Sequence, residues 1–322
     1  MAIRFRKLSN YSTNVRIDTL KRFAIRSLLT LFWYISPAIT VAFVKKHVFR
    51  PAGYRTSTEE KQFLGSGSKF QIDIHGKTVQ GWKWGEGPGV LFVHGWNGRG
   101  IQFHRFFAPL IEAGFTAITF DAPAHGESSG KTSSYFEWTD TVRAILNSQN
   151  ELNISAIIGH SLGGSAVINA LYKEKISVPT VLIAPVFKLK EILFNTFNLY
   201  GIPEYVYRKA IEEYEHRFGY TLKNANPCNL LPAVNTDLLV IHDRQDPAIP
   251  FQDSEKMAEA WPHVILHETR GMGHRRILSD RKIVEFTTGY LVSRIQISEM
   301  PQPGFEQHPE TVRQFGKISA AM

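Results

Sequence analysis

Two hydrophobic patterns divide the chain. From Leu28 to Val44, LLTLFWYISPAITVAFV runs for seventeen residues without a charge. From Phe70 onward, short apolar runs alternate with amphipathic stretches. FQIDI and TVQGWKW flank His75-Gly76 and predict a hairpin. GVLFVHG, residues 89–95, is a continuous apolar run closed by glycine, the pattern of a buried parallel strand. A helix is expected around Phe103–Ala113. Strand TAITFDAP, helix FEWTDTVRAILNSQNEL, strand SAIIGHS, helix LGGSAVINALYKE and strand TVLIAP follow in turn. After an insertion come strand DLLVIHD, helix QDSEKMAEAW, strand VILHET and a last helix from Arg275 to about Ile295. This alternation predicts an α/β fold: a mainly parallel sheet with helices on both faces. It also suggests boundaries: an N-terminal arm over residues 1–55, the α/β domain over 56–296 and a loose tail over 297–322.

The arm is basic as well as apolar. Residues 1–55 hold eleven Lys or Arg against Asp18 alone, a net +10. The whole chain carries +8, so the remaining 267 residues carry −2. The positive charge is therefore a property of the arm, and the basic face of a nucleic-acid binder is not implied for the domain. As one helix, the apolar run would extend roughly 26 Å, at the short end for crossing a bilayer. Pro37 is expected to kink it. Trp33 and Tyr34 suit the headgroup zone. Residues 17–50 are thus expected either to meet a membrane surface, as an anchor or in-plane helix, or to pack on the domain. A cleaved signal peptide fits less well, because Lys45 and Lys46 stand where small residues should precede the cleavage site. The expected location is cytoplasmic or membrane-associated. The single cysteine, Cys228, excludes an intramolecular disulfide.

The chemistry centres on IIGHSLGG. Here Ser161 lies between an apolar strand and a helix, with glycine at 159 and 163. A sharp strand-to-helix turn of this kind exposes a serine hydroxyl above the carboxyl ends of the strands. A reactive serine needs a base, an acid to orient the base, and donors for an oxyanion. Strand DLLVIHD leads into RQDPAIP, which places Asp246 in the following loop. Strand VILHET leads into RGMGHRRIL, which places His274 in the next one. Both loops fall at strand carboxyl ends, on the same sheet edge as Ser161. Asp243 is a rival acid. Asp121, His125 and Glu127 read as braces of their loop, and His94 and His160 as supports of their turns. No His, Asp and Glu spacing suggests a zinc site, and no phosphate-loop spacing occurs.

From about Phe70 to Ile295 the chain resembles the α/β-hydrolase superfamily of esterases, lipases and related enzymes. The resemblance rests on LFVHGWNG, FDAPAHGES, GHSLGG, DRQDPAIP and GMGH, in that order. It implies Ser161 as nucleophile, His274 as base, Asp246 as orienting acid, and the main-chain N–H groups of Trp96 and Leu162 as the oxyanion hole. The bulky Trp96 after His94-Gly95 departs from the family pattern and puts an indole near the acyl site. The resemblance implies hydrolysis of carboxylic esters with no cofactor. Acyl transfer, carbon–carbon hydrolysis and perhydrolysis use the same triad, and a non-catalytic binding protein on this fold is the alternative of a different class. Dehalogenation and epoxide hydrolysis would call for aspartate at position 161. The resemblance does not cover the arm.

The insertion, about residues 186–236, has helical periodicity and nine aromatics among residues 187–220. By position it resembles the helical cap of capped members of the superfamily. Its apolar face would roof a pocket for an apolar acyl chain, with Phe194 and Phe197 expected to touch substrate and Asn97 as a polar contact. The expected partner is a small-molecule ester.

Overall fold

The computed structural model describes residues 19–148 and 152–295. Its frame is one eight-stranded sheet: β1 (Ser68–Ile74), β2 (Lys77–Trp84), β3 (Gly89–Val93), β4 (Thr116–Phe120), β5 (Ile154–His160), β6 (Thr180–Ile183), β7 (Leu238–Asp243) and β8 (Val264–Thr269). The strand order is β1-β2-β4-β3-β5-β6-β7-β8. β2 runs antiparallel to both β1 and β4, and every other neighbouring pair is parallel. The first two strands alternate or mix exposure. β3 and β4 are buried along their whole length, which is why their sequences lack polar alternation.

Helices cover both faces. One core cluster gathers Val90, Phe92, Ile158 and Ile241 with α4 (His104–Glu112) and α12 (Arg281–Arg294). The other gathers Leu91, Ile118 and Ile157 with α5 (Tyr135–Asn147), α6 (Leu162–Glu174) and the insertion. Between β6 and β7 that insertion forms α7 (Leu189–Leu199), α8 (Glu204–Phe218) and the short α9 (Pro227–Leu230). α3 (Thr58–Ser66) and α10 (Phe251–Ala260) complete the outer layer. The expected last helix is divided into α11 (Gly273–Arg276) and α12, because the Asp280 carboxylate accepts from the N–H groups of Lys282 and Ile283 and starts a new helix.

The apolar run of the arm is two helices rather than one kinked helix: α1 (Thr19–Ile35) and α2 (Pro37–Val48). Ser36 is extended, at φ −158° and ψ 103°, and its hydroxyl accepts from Ile39 N–H. The residue before a proline avoids helical geometry, and Pro37 then opens the next helix, so the break is stronger than a kink. Among the described residues, no helix is long and apolar enough to cross a membrane. α2 packs on α8: Lys45 pairs with Glu213 at 2.7 Å, and the Phe49 ring lies 4.9 Å from that of Tyr214. Leu29, Val41, Val44 and Phe49 are buried in the same cluster as Phe136 and Trp138. The expected tail, 297–322, and the arm's first eighteen residues lie outside the described residues.

Candidate active site

Ser161 stands between β5 and α6 with φ 54° and ψ −124°, a strained backbone for a residue with a Cβ. Its flanking glycines are sterically required. A Cβ on Gly163 would stand 2.4 Å from the carbonyl oxygens of both Val93 and His94, and one on Gly159 would stand 2.8 Å from the Cα of Gly164. The end of β3 passes close by: a Cβ on Gly95 would be 2.9 Å from that of Ser161. Trp96 and Leu162 therefore follow directly on the two segments that meet at the serine.

The loops after β7 and β8 complete a chain of contacts. His274 Nε2 lies 3.1 Å from Ser161 Oγ, and His274 Nδ1 lies 2.7 Å from Asp246 Oδ2. The other carboxylate oxygen, Oδ1, accepts from the N–H groups of Ala248 at 2.7 Å and Ile249 at 2.9 Å. Burial works against charge on Asp246, but hydrogen bonds from His242, His274 and Ile249 outweigh it and hold the carboxyl below the usual carboxylate range. Asp243 has a different task. It accepts from Gln245 N–H, Thr269 Oγ1 and Met272 N–H at 2.9 Å each, tying the loop of His274 to β7.

The surrounding histidines are braces. His94 Nε2 accepts from Ala122 N–H at 2.9 Å and its Nδ1 donates to Gly95 O at 2.9 Å. His125 Nε2 accepts from Asn97 N–H at 3.3 Å. His160 Nε2 donates to the main-chain carbonyl of His274 at 2.9 Å, fixing the backbone that presents the imidazole. Asp121 holds Arg99 and the N–H groups of Gly100 and Glu127.

A cleft of about 890 Å³ opens over Ser161 and His274, with Tyr54, Arg55, Gln102 and Arg275 along its walls. Behind Trp96 and Leu162 lies a separate apolar cavity of about 50 Å³, walled by Val48, Phe49, Tyr135 and Phe197. Trp96 borders both spaces. Phe197 thus sits at the cavity, while Phe194 does not line it. Phe194 packs its ring 5.1 Å from Tyr207, beneath the cations of Lys190 and Arg208. Asn97 is also placed differently from its expectation. Its side-chain oxygen accepts from Ala52 N–H at 2.6 Å, so it ties the segment after α2 to the Trp96 turn and does not line the cleft. The sequence reading missed His242, whose Nε2 lies 3.2 Å from Asp246 Oδ2. Among the described residues, no cluster of three or more His, Cys, Asp or Glu side chains could hold a metal ion.

The model of the alpha/beta hydrolase family matches residues 90–286, more than half of the chain. The chain belongs to that family. The match begins within β3 and ends within α12, so it takes in Ser161, Asp246 and His274. The chain is 22% identical over 183 residues to YqkD of Bacillus subtilis, covering 53% of this chain and 59% of that protein. It is 29% identical over 83 residues to the non-heme chloroperoxidase CPO-A1 of Kitasatospora aureofaciens, covering 25% of this chain and 30% of that enzyme. The chain therefore spans less than two thirds of the length of these curated relatives. Among solved structures, the Pyrococcus furiosus esterase Pf2001 matches at TM-score 0.57 and 18% identity, over 76% of this chain and 99% of that one. Est1E from Butyrivibrio proteoclasticus, solved with ferulic acid, matches at TM-score 0.55 and 19% identity, over 70% and 98%. At such identities the likeness concerns the fold.

Proposed function

We propose that the protein is a serine hydrolase that cleaves carboxylic esters through an acyl-enzyme. The observation that carries this reading is the unbroken contact chain from Ser161 Oγ through His274 to Asp246. In the proposed cycle His274 takes the hydroxyl proton as Ser161 Oγ attacks the acyl carbonyl. The charge moves onto the carbonyl oxygen, which the N–H groups of Trp96 and Leu162 receive. Each such donor typically stabilises the transition state by about 3–4 kcal/mol. Asp246, an ionised acceptor at Nδ1, keeps the unprotonated Nε2 turned toward the serine and stabilises the imidazolium. His274 then protonates the leaving alkoxide, and water repeats the sequence to release the acid.

The two spaces suggest the substrate class. The cavity beside Trp96 and Leu162 is apolar, and its 50 Å³ is room for about three to five water-sized groups. That favours a short or medium apolar acyl chain. The wider cleft, with Arg55 and Arg275 at its walls, suits a more polar alcohol portion. Acyl transfer, carbon–carbon hydrolysis and perhydrolysis would proceed through the same three side chains, and product analysis separates them.

A fluorophosphonate probe tests the central claim. The wild-type protein should be labelled and Ser161→Ala should not. An unlabelled wild type, or equal labelling of the variant, would return Ser161 to the role of a turn residue and favour a binding protein.

A further inference from the structure

α1 carries two apolar stripes on opposite sides. Ile25, Leu29 and Trp33 recur at intervals of four and face the cap. Leu29 is buried, Trp33 lies 5.0 Å from the ring of Tyr205, and the Tyr205 hydroxyl donates to Thr30 Oγ1 at 2.8 Å. Among the described residues, nothing covers the opposite stripe. Phe23 is 70% exposed, Leu31 57%, Tyr34 83% and Ile35 71%, and Ile39 at the start of α2 is 70% exposed. An outward apolar face of this size is unusual unless something covers it.

Charge identifies what covers it. At 3.6 residues per turn, Lys21 falls on one flank of the stripe and Arg26 on the other, both exposed, while Arg22 falls on the cap-facing side beside Gly201. No acidic residue occurs from 19 to 58. An apolar stripe bordered by cations matches a lipid surface with anionic headgroups, with the helix lying in the plane of the interface. A second copy is a poorer occupant, because it would bring two cationic flanks together. As described, α1 is not long and apolar enough to cross a membrane, and after Ser36-Pro37 α2 continues along the cap.

We propose that the outer face of α1, with Ile39, docks the protein in plane on an anionic membrane surface. Each basic residue brought to such a surface raises affinity roughly fivefold at low salt. The test is sedimentation of the full chain with vesicles of phosphatidylcholine alone and of phosphatidylcholine mixed with phosphatidylglycerol. Binding is expected to favour the mixed vesicles and to weaken as salt rises. The double variant Leu31→Glu and Tyr34→Glu should lose this binding by about tenfold or more. Its thermal midpoint should stay unchanged, since both side chains are exposed. A second double variant, Lys21→Glu and Arg26→Glu, keeps the apolar stripe and should lose the preference for the anionic lipid. Failure of wild type to bind the mixed vesicles would overturn the proposal. So would undiminished binding by Leu31→Glu/Tyr34→Glu, or an undiminished anionic preference in Lys21→Glu/Arg26→Glu. A wild-type dimer dissolved by the Leu31→Glu/Tyr34→Glu changes would assign the face to a second copy instead.

Discussion

One carboxylate oxygen, Oδ2 of Asp246, lies 2.7 Å from Nδ1 of His274 and 3.2 Å from Nε2 of His242. His242 is fully buried at the end of β7. An ionised Asp246 only accepts, so His242 must donate from Nε2. Its Nδ1 then accepts from the hydroxyl of Ser254, 2.7 Å away. The acid is thus held from three sides: by two imidazoles and by the main-chain N–H groups of Ala248 and Ile249.

On the proposed mechanism His242 is a positioning residue for Asp246. A hydrogen bond to a charged group contributes about 1.5–3 kcal/mol, roughly 10- to 100-fold in rate if the transition state feels all of it. His242→Phe, which removes the donor, should lower kcat by an amount in that range with little change in KM. His242→Gln keeps an N–H donor and should recover part of the loss. Comparing the two variants by steady-state kinetics on one soluble ester checks this. Equal activity in both would reduce His242 to a packing residue.

The difference between Ser161 and His242 explains what the sequence made legible. Ser161 depends on neighbours in sequence: an apolar strand before it, a helix after it and glycines on either side. The approach of His242 to Asp246 depends on how the loop after β7 folds back, and its second partner, Ser254, lies on α10. Local pattern carries no trace of that. The cap aromatics show the same limit. Phe194 and Phe197 both lie on α7, yet only Phe197 borders the cavity, and the facing surface that selects it comes from Phe49 and Trp96. The mainly parallel sheet with its leading hairpin was legible because buried parallel strands and exposed hairpin strands have different patterns. The link from Asn97 to the distant Ala52 main chain likewise leaves no mark in local pattern.

Two buried histidines should make the fold acid-sensitive. Burial pushes His94 from 6.5 down to about 4 and His125 from 6.5 down to about 3. Below pH 6.5 the unfolded chain takes up protons that the folded chain refuses, so stability falls as pH falls. For His94 the loss runs from about 6.5 to about 4, and for His125 it continues to about 3. Each site costs about 1.4 kcal/mol per pH unit within its window, or roughly 3–4 kcal/mol for the pair between pH 7 and 5. Urea unfolding at those two pH values measures the difference. Equal stabilities would mean that these rings are not held neutral.

Trp96 should set the acyl-chain limit. Its indole stands between the cleft and the apolar cavity, and its Nε1 is buried without a partner among the described residues. Each methylene that enters an apolar site adds about 0.8 kcal/mol, roughly fourfold in kcat/KM. For wild type this gain should stop once the small cavity is filled. Trp96→Ala keeps the main-chain N–H and enlarges the space, so the rise should continue to longer chains. A series of p-nitrophenyl esters of increasing length gives both profiles. Superimposable profiles would place the acyl chain elsewhere, and an acetate optimum in wild type would remove the apolar-acyl assignment.

Adjacent glycines in α6 should respond differently to the same added methyl. At Gly163 a Cβ would meet two main-chain carbonyl oxygens at 2.4 Å, those of Val93 and His94. Neither can move without shifting the end of β3 and the Trp96 turn beside Ser161. At Gly164 the nearest atom is the side-chain Cβ of Pro185 at 3.2 Å, which calls for a shift of a few tenths of an ångström. Alanine also favours a helix over glycine by about 1 kcal/mol, which offsets a small clash. Gly164→Ala is therefore expected to be close to neutral in urea unfolding. Gly163→Ala should lose about 1–3 kcal/mol by overpacking. Because the displaced turn carries the Trp96 N–H, Gly163→Ala should also lower kcat more than its lost stability explains, under conditions where the variant is fully folded. Comparable stability and kcat in the two variants would show that the approach of β3 to the Ser161 turn is looser than these distances require.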